Sequence, residues 1–359
     1  MSTASDGAAS LGRTHLRHWA GPSKYKIGYS AFGTYQVSGH AAAVGLNPYA
    51  LYPETFRSIF GHQSVPDVNF NPPCLIPLFQ ALWHLRRAAY AWTWTAASFL
   101  AFALTAWLLL KARPALQGLQ ILWLLLCIPV QNTITSGQIY GLLVLLAALA
   151  YCFHQRGQHI TAAVAIGLLV ACKPTMAFLL PFLWLAHHRT IALYATTVTC
   201  IASTLPLLFH GPRIYTQWVA ALRGDMHWLA STDIAPIAIL RRHGHPHVGF
   251  ILAEALAIAL AWWQWKKRPA FIDSCGAAVC AGILCAPLAW HAYIFIAAPF
   301  FVARRWTLYA TLGACLLFYP LGLTPVAISS IYLAAVAIFL HTFLSAGSDL
   351  APITVACRA

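Results

Sequence analysis

The chain has 359 residues, of which 60% are hydrophobic and only 8% charged, and its mean hydropathy is +0.68. These values exclude an ordinary soluble domain, in which about a quarter of the residues carry charge. The formal net charge of +14 does not make a nucleic-acid binder of it, because the basic residues form short clusters between apolar runs, with no basic stripe and no nucleic-acid fold signature.

In chain order, residues 1–33 are polar, rich in Ser, Gly and basic residues, and hold no apolar stretch that would serve as a signal or an anchor. Residues 34–87 form a first loop. Its Ala-rich stretch after His40 predicts a turn or two of helix, Asn47-Pro48-Tyr49 reads as a turn, and Asn71-Pro72-Pro73 opens the apolar stretch Cys74–Leu85, which is too short to span and is expected to dip into the membrane. Residues 88–345 then carry the apolar runs Ala88–Leu110, Leu116–Ile134, Ile139–His154, Ile160–Cys172, Thr175–Ala186, Thr190–Phe209, Val248–Trp265, Phe271–Ala286, Leu288–Ala303, Trp306–Pro320 and Val326–Leu344, before a tail of residues 346–359. The pattern predicts an all-α polytopic membrane protein of about 11 transmembrane helices. Several runs are short and bounded by Pro174, Pro181 or Pro287, as broken helices around a cavity are.

One charge interrupts this pattern. Lys173 and Pro174 lie in the middle of the apolar stretch Ile160–Ala186. A lysine at a helix centre costs about 2.5–3.5 kcal/mol even on the lenient insertion scale, so such residues face a wet cavity or bind something anionic. The proline cannot continue the hydrogen-bond ladder, which predicts two short helices meeting at Lys173. A lysine snorkelling to the interface from an ordinary hairpin is the alternative.

The basic clusters set an orientation. Lys111 with Arg113, Arg156, His187–Arg189, Lys266–Arg268 and Arg304–Arg305 follow alternate spans, the positive-inside pattern. These loops are assigned to the cytoplasm of a multi-pass plasma (inner) membrane protein. The polar N-terminal loop, Ser136–Gln138, the Lys173 break, the long loop His210–His247 and the Ala286–Tyr293 turn are assigned to the periplasmic or other extracytoplasmic face. The ten Cys fall mostly in or at the ends of apolar runs, where they read as small hydrophobes, and no spacing of a zinc site occurs. The run Arg241-Arg242-His243-Gly244-His245-Pro246-His247 reads as a solvated loop rather than a metal site.

Five motifs in order carry a resemblance: Tyr35 with Gly39 and Gly45-Leu46-Asn47-Pro48-Tyr49; Asn71-Pro72-Pro73; Ser136-Gly137-Gln138 opening a Leu-rich helix; Lys173-Pro174; and Ala286-Pro287-Leu288-Ala289-Trp290-His291. From about Phe32 to Arg305 the chain resembles glycosyltransferase family 87. The resemblance implies a GT-C-like helical bundle and transfer of a hexose, mannose in the first instance, from a polyprenyl-phosphate donor to a glycolipid or glycan hydroxyl. It also implies a catalytic Asp just before the Phe32-Gly33-Thr34-Tyr35 stretch, preceded by a transmembrane helix. That helix is not found in the sequence, and Ala31 occupies the Asp position. Tyr140 stands where relatives often carry Asn. Three accounts stay open: a true start upstream, a degenerate non-catalytic relative, or a base supplied from elsewhere.

The transfer requires a base for the attacking hydroxyl and fixed cations for the departing phosphate. Of eight carboxylates, Glu54 and Asp67 lie in the segment that the family uses for catalysis and are the candidate catalytic residues. Lys173, with Arg57, Gln138 and His291 behind it, is the candidate donor-phosphate ligand. No cofactor and no metal ligand is expected, although the chemistry tolerates a divalent cation. The expected partners are the polyprenyl-phosphate-sugar, the acceptor and membrane lipids, with no nucleic acid. A lipid or glycolipid flippase is the rival from another class, weakened by the lack of an inverted repeat pairing Lys173-Pro174 with a second charged break.

Overall fold

The computed structural model describes residues 30–55, 68–83, 87–112, 118–224, 234–318 and 325–345, and among these there are helices and no strand. The α-helices are α1 (Ser30–Ala43), α2 (Ile76–Trp83), α3 (Arg87–Ala112), α4 (Gly118–Leu126), α5 (Ile128–Ser136), α6 (Tyr140–Gln155), α7 (His159–Cys172), α8 (Leu179–Leu185), α9 (Arg189–His210), α10 (Arg213–Gly224), α11 (Pro236–Arg242), α12 (Pro246–Lys267), α13 (Phe271–Cys285), α14 (Ala298–Val302), α15 (Leu308–Leu316) and α16 (Pro325–Leu344). Tighter 3₁₀ turns run over Pro73–Leu75, Pro174–Phe178 and His291–Ala297.

Among the described residues, four helical stretches are long and apolar enough to cross a membrane: Trp92–Ala112, Gly118–Ser136, Arg189–His210 and Pro246–Lys267. Their outer faces carry exposed Trp92, Leu100, Leu208, Phe209 and Ile251, a surface suited to lipid rather than water. The other apolar helices are shorter, among them α6, α7 and α13.

Helix α13 is the axis of the core. It is buried from Phe271 to Leu284, and its small residues Gly276, Ala277, Ala278, Ala281 and Gly282 let neighbouring backbones come close, as membrane helix interfaces require. A Cβ at Gly276 would strike the Phe343 ring of α16, and one at Gly282 would strike the Thr175 carbonyl. Fifteen residues make α13 about 22 Å long, so its two ends serve different parts of the molecule.

At the Phe271 end, the basic loops gather. The His154 ring stacks on Phe271 at 4.0 Å, His188 Nε2 lies 3.2 Å from the Pro269 carbonyl, and Gln264 Nε2 donates to the Ser274 carbonyl at 3.3 Å. Arg304 forms an ion pair with Asp273, both nearly fully buried. Gln120 Nε2 donates to the carbonyls of Val302 and Arg304 at 3.1 and 2.9 Å, tying α4 to this cluster.

Two segments and the exposure of two cysteines differ from the sequence-based expectation. Where a turn or two of helix is expected after His40, α1 runs for 14 residues and begins before the boundary placed at residue 33. Gly33, Thr34, Ser38 and Gly39 are weak helix formers, so propensity hides a helix that packing stabilises: Tyr35 stacks on Phe79 of α2 at 4.5 Å, and Gly39 sits so close to the Phe79 carbonyl that no Cβ would fit. The loop expected over His210–His247 contains α10 and α11, of which α10 repeats Ile214, Trp218 and Leu222 on one face, the helical spacing. Not all cysteines are buried, since Cys200 and Cys315 are exposed; all nine described cysteines are free thiols.

Candidate functional site

At the Cys285 end of α13 a cavity of about 610 Å³ opens, and Ala31, Tyr35, Asn69, Gln138, Tyr140, Lys173, Thr175, Trp218, Trp290 and Tyr293 are among its walls. The Lys173 break forms as the proline demands. Helix α7 ends at Cys172, Lys173 leaves the helical region at φ −143°, ψ 86°, and Pro174 starts a 3₁₀ turn. Because Gly282 has no side chain, α13 supports this turn through direct contact with the Thr175 carbonyl.

The Lys173 ammonium lies 4.2 Å from the Tyr293 ring centroid and 5.8 Å from that of Tyr140. These rings are buried and 5.6 Å apart, so the cation rests on two aromatic faces. Among the described residues no carboxylate pairs with Lys173. Cation–π contacts offset part of the desolvation of an ammonium but supply no acceptor for its N–H groups. Two more cations, Arg223 of α10 and Arg241 of α11, lie on the cavity wall and are exposed.

Gln138 is placed by the turn before it. Gly137 takes a left-handed conformation at φ 68°, and a Cβ there would collide with Phe32. The turn is pinned by Trp94 Nε1, which donates to the Gly137 carbonyl at 2.8 Å. Tyr35 then donates its hydroxyl to Gln138 Oε1 at 2.8 Å, which leaves the Gln138 amide N–H groups to point elsewhere. The Asn69–Pro73 segment closes the wall: Asn69 Oδ1 accepts from Asn71 N at 3.0 Å and from Asn71 Nδ2 at 2.9 Å, while Cys74 Sγ donates to the Ala171 carbonyl at 3.0 Å.

The structure thus brings Gln138, Lys173 and Ala31 to one cavity. Glu54 is exposed and does not line it. Arg57 and Asp67 lie outside the described residues. His291 is the first residue of the 3₁₀ turn His291–Ala297, whose neighbours Trp290 and Tyr293 line the cavity; its side chain is not among those described. Among the described lining residues there is no Asp or Glu, and among the described residues no group of three His, Cys, Asp or Glu converges as a metal site would require. The sequence reading missed Arg223, Arg241 and Trp218. The apolar spacing of α10 was the available signal for the first and third.

A sequence model of glycosyltransferase family 87 matches residues 69–289, a stretch that includes Asn69, Gln138, Lys173, Thr175 and the α10 and α11 walls. The chain belongs to glycosyltransferase family 87. This membership implies a membrane glycosyltransferase, with a sugar donor and an acceptor as its substrates. No curated protein and no solved structure matches the chain.

Proposed function

We propose that this family 87 protein binds a polyprenyl-phosphate-hexose, with mannose the first sugar to test, and transfers the sugar to a glycolipid or glycan hydroxyl. The observation that carries the reading is Lys173: a cation at a helix break, on the wall of a cavity, resting on two rings and lacking a carboxylate partner among the described residues. Such a cation stabilises the charge that develops on a departing phosphate. The Gln138 amide, its oxygen engaged by Tyr35, supplies N–H donors beside it.

The gathering of His154, His188, Arg304 and their neighbours at the Phe271 end of α13 supports a cytoplasmic assignment for that end in the plasma (inner) membrane. The cavity then opens to the periplasmic or extracytoplasmic side. In this reading the shorter apolar helices are further crossings of a GT-C-like bundle of about 11 helices. Cysteines introduced at Arg156 and Gln138 should label from opposite sides; labelling from the same side overturns the orientation.

A second reading, lipid binding without transfer, is favoured by one observation. Ala31, which has no proton acceptor, lies on the cavity wall, and general-base assistance typically supplies about 10²–10⁴-fold in rate. Purified protein is assayed for binding of polyprenyl-phosphate-mannose and for turnover with a panel of glycolipid acceptors. The second reading expects binding with little turnover, and a rise of about 10²-fold or more in Ala31→Asp, whereas the first expects turnover by the wild type. Robust turnover lost in Glu54→Gln or Asp67→Asn would show that the base is relocated. Absence of binding overturns the donor reading.

A further inference from the structure

Among the described side chains with buried polar atoms that find no protein partner, two line the cavity: Asn69, through Nδ2, and Thr175, through Oγ1. An unsatisfied buried donor or hydroxyl costs about 1–3 kcal/mol, so a pair of them on one cavity wall calls for a partner that enters the cavity.

The orientation of the Asn69 amide is fixed by its neighbours. Only its oxygen accepts from the Asn71 backbone N–H, so the free group is the NH₂ donor. Asn69 is 2% exposed, and the turn it forms with Asn71 leaves it no freedom to seek water. Thr175 is unusual in another way. Seven other threonines (133, 135, 196, 197, 199, 311 and 342) donate their hydroxyl to the carbonyl four residues back, the usual resting place for a helical threonine. For Thr175 that carbonyl belongs to Ala171, across the Lys173 break, and it accepts from Cys74 Sγ instead.

Both groups are neutral, and both sit beside the cation: Thr175 is two residues from Lys173, and the Asn69–Cys74 segment packs on the end of α7 through the Cys74–Ala171 bond. A bare phosphate would be met by Lys173, and a hydrocarbon chain needs neither an amide nor a hydroxyl. The ligand that uses all three carries hydroxyl groups next to its phosphate. Trp218 adds an aromatic face, held by its Nε1 donating to the Phe70 carbonyl at 3.1 Å, one residue from Asn69; the C–H face of a pyranose packs on such a ring, one end apolar and the other wet.

We propose that Asn69 and Thr175 form the sugar-hydroxyl subsite of this cavity and that Asn69 is a specificity-determining donor to one hexose hydroxyl. This rests on the donor reading above.

The test measures affinity for two probes, polyprenyl monophosphate and polyprenyl-phosphate-mannose, in the wild type, Asn69→Asp, Thr175→Val and Thr175→Ser, and takes their ratio. Asn69→Asp keeps the oxygen that caps Asn71 and removes only the donor; any repulsion between the new carboxylate and phosphate cancels in the ratio. We expect the preference for the sugar-bearing lipid to fall about tenfold in Asn69→Asp and Thr175→Val, the loss of one hydrogen bond in a dry site, and to return in Thr175→Ser. A ratio unchanged in both Asn69→Asp and Thr175→Val, or a wild type that binds the two lipids equally, overturns the subsite while leaving the phosphate assignment standing. A wild type that binds neither lipid overturns the donor reading itself, and the subsite with it.

Discussion

The two ends of α13 treat a cation in opposite ways. At the Phe271 end, Arg304 has Asp273 as its ion-pair partner, both nearly sealed from solvent. At the Cys285 end, Lys173 has two tyrosine rings and, among the described residues, no carboxylate. Removing charge from water costs several kcal/mol in either place. At the first end a protein carboxylate offsets the charge, so the pair is structural; at the second no described carboxylate does, which leaves the cation open to an anion. The same contrast separates Gln120, whose amide is engaged by two carbonyls, from Asn69, whose amide nitrogen has none.

The largest expected effect comes from breaking the structural end. Arg304→Met leaves the Asp273 carboxylate buried without its partner and should cost about 3–5 kcal/mol of stability, read as a drop in the thermal unfolding midpoint followed by tryptophan fluorescence in detergent. Replacing both partners, Arg304→Met with Asp273→Leu, should restore much of it. An unchanged midpoint in the single variant would erase the distinction between the two ends.

Lys173→Met should do the reverse. Stability holds or rises, because a half-buried charge without a carboxylate partner is removed, while affinity for polyprenyl monophosphate falls about 10- to 100-fold, the worth of a hydrogen bond to a charged group. Equal affinity for the lipid in wild type and variant would take Lys173 out of the site.

Gly282→Ala tests whether α13 carries the cavity floor. The added Cβ meets the Thr175 carbonyl, and the backbone has to move, at about 1–3 kcal/mol for overpacking. Stability and lipid affinity should decline together, whereas Gly45→Ala, with open space around the Cβ but a φ of 75°, should lower stability alone. The smallest effect is expected from Tyr35→Phe, which removes the donor to Gln138 Oε1 and should cost about 0.5–1.5 kcal/mol, seen as a small shift in midpoint and a few-fold change in lipid binding.

Much of this molecule is legible in its sequence. Low charge content and long apolar runs dictate helices in a membrane, because only internally hydrogen-bonded segments are tolerated there. The Lys173-Pro174 break followed from the proline's missing N–H, and Gln138 and Lys173 were singled out for the cavity that both line. Alternating basic clusters also named His188 and Arg304, which meet at the Phe271 end. These are local properties, set by a residue and its close neighbours in the chain.

The rest was decided by contacts between distant segments. Helix α1 exists because Gly39 admits the Phe79 backbone, a fact about residue 79 that residues 30–43 do not carry. Glu54 is in the expected segment, yet it does not reach the cavity wall, because position along the chain does not fix where a side chain ends up. Asn69 and Thr175 are ordinary polar residues in the sequence. Only the fold, by giving Ala171's carbonyl to Cys74 and Asn69's oxygen to Asn71, leaves their remaining polar atoms without a protein partner beside a cation.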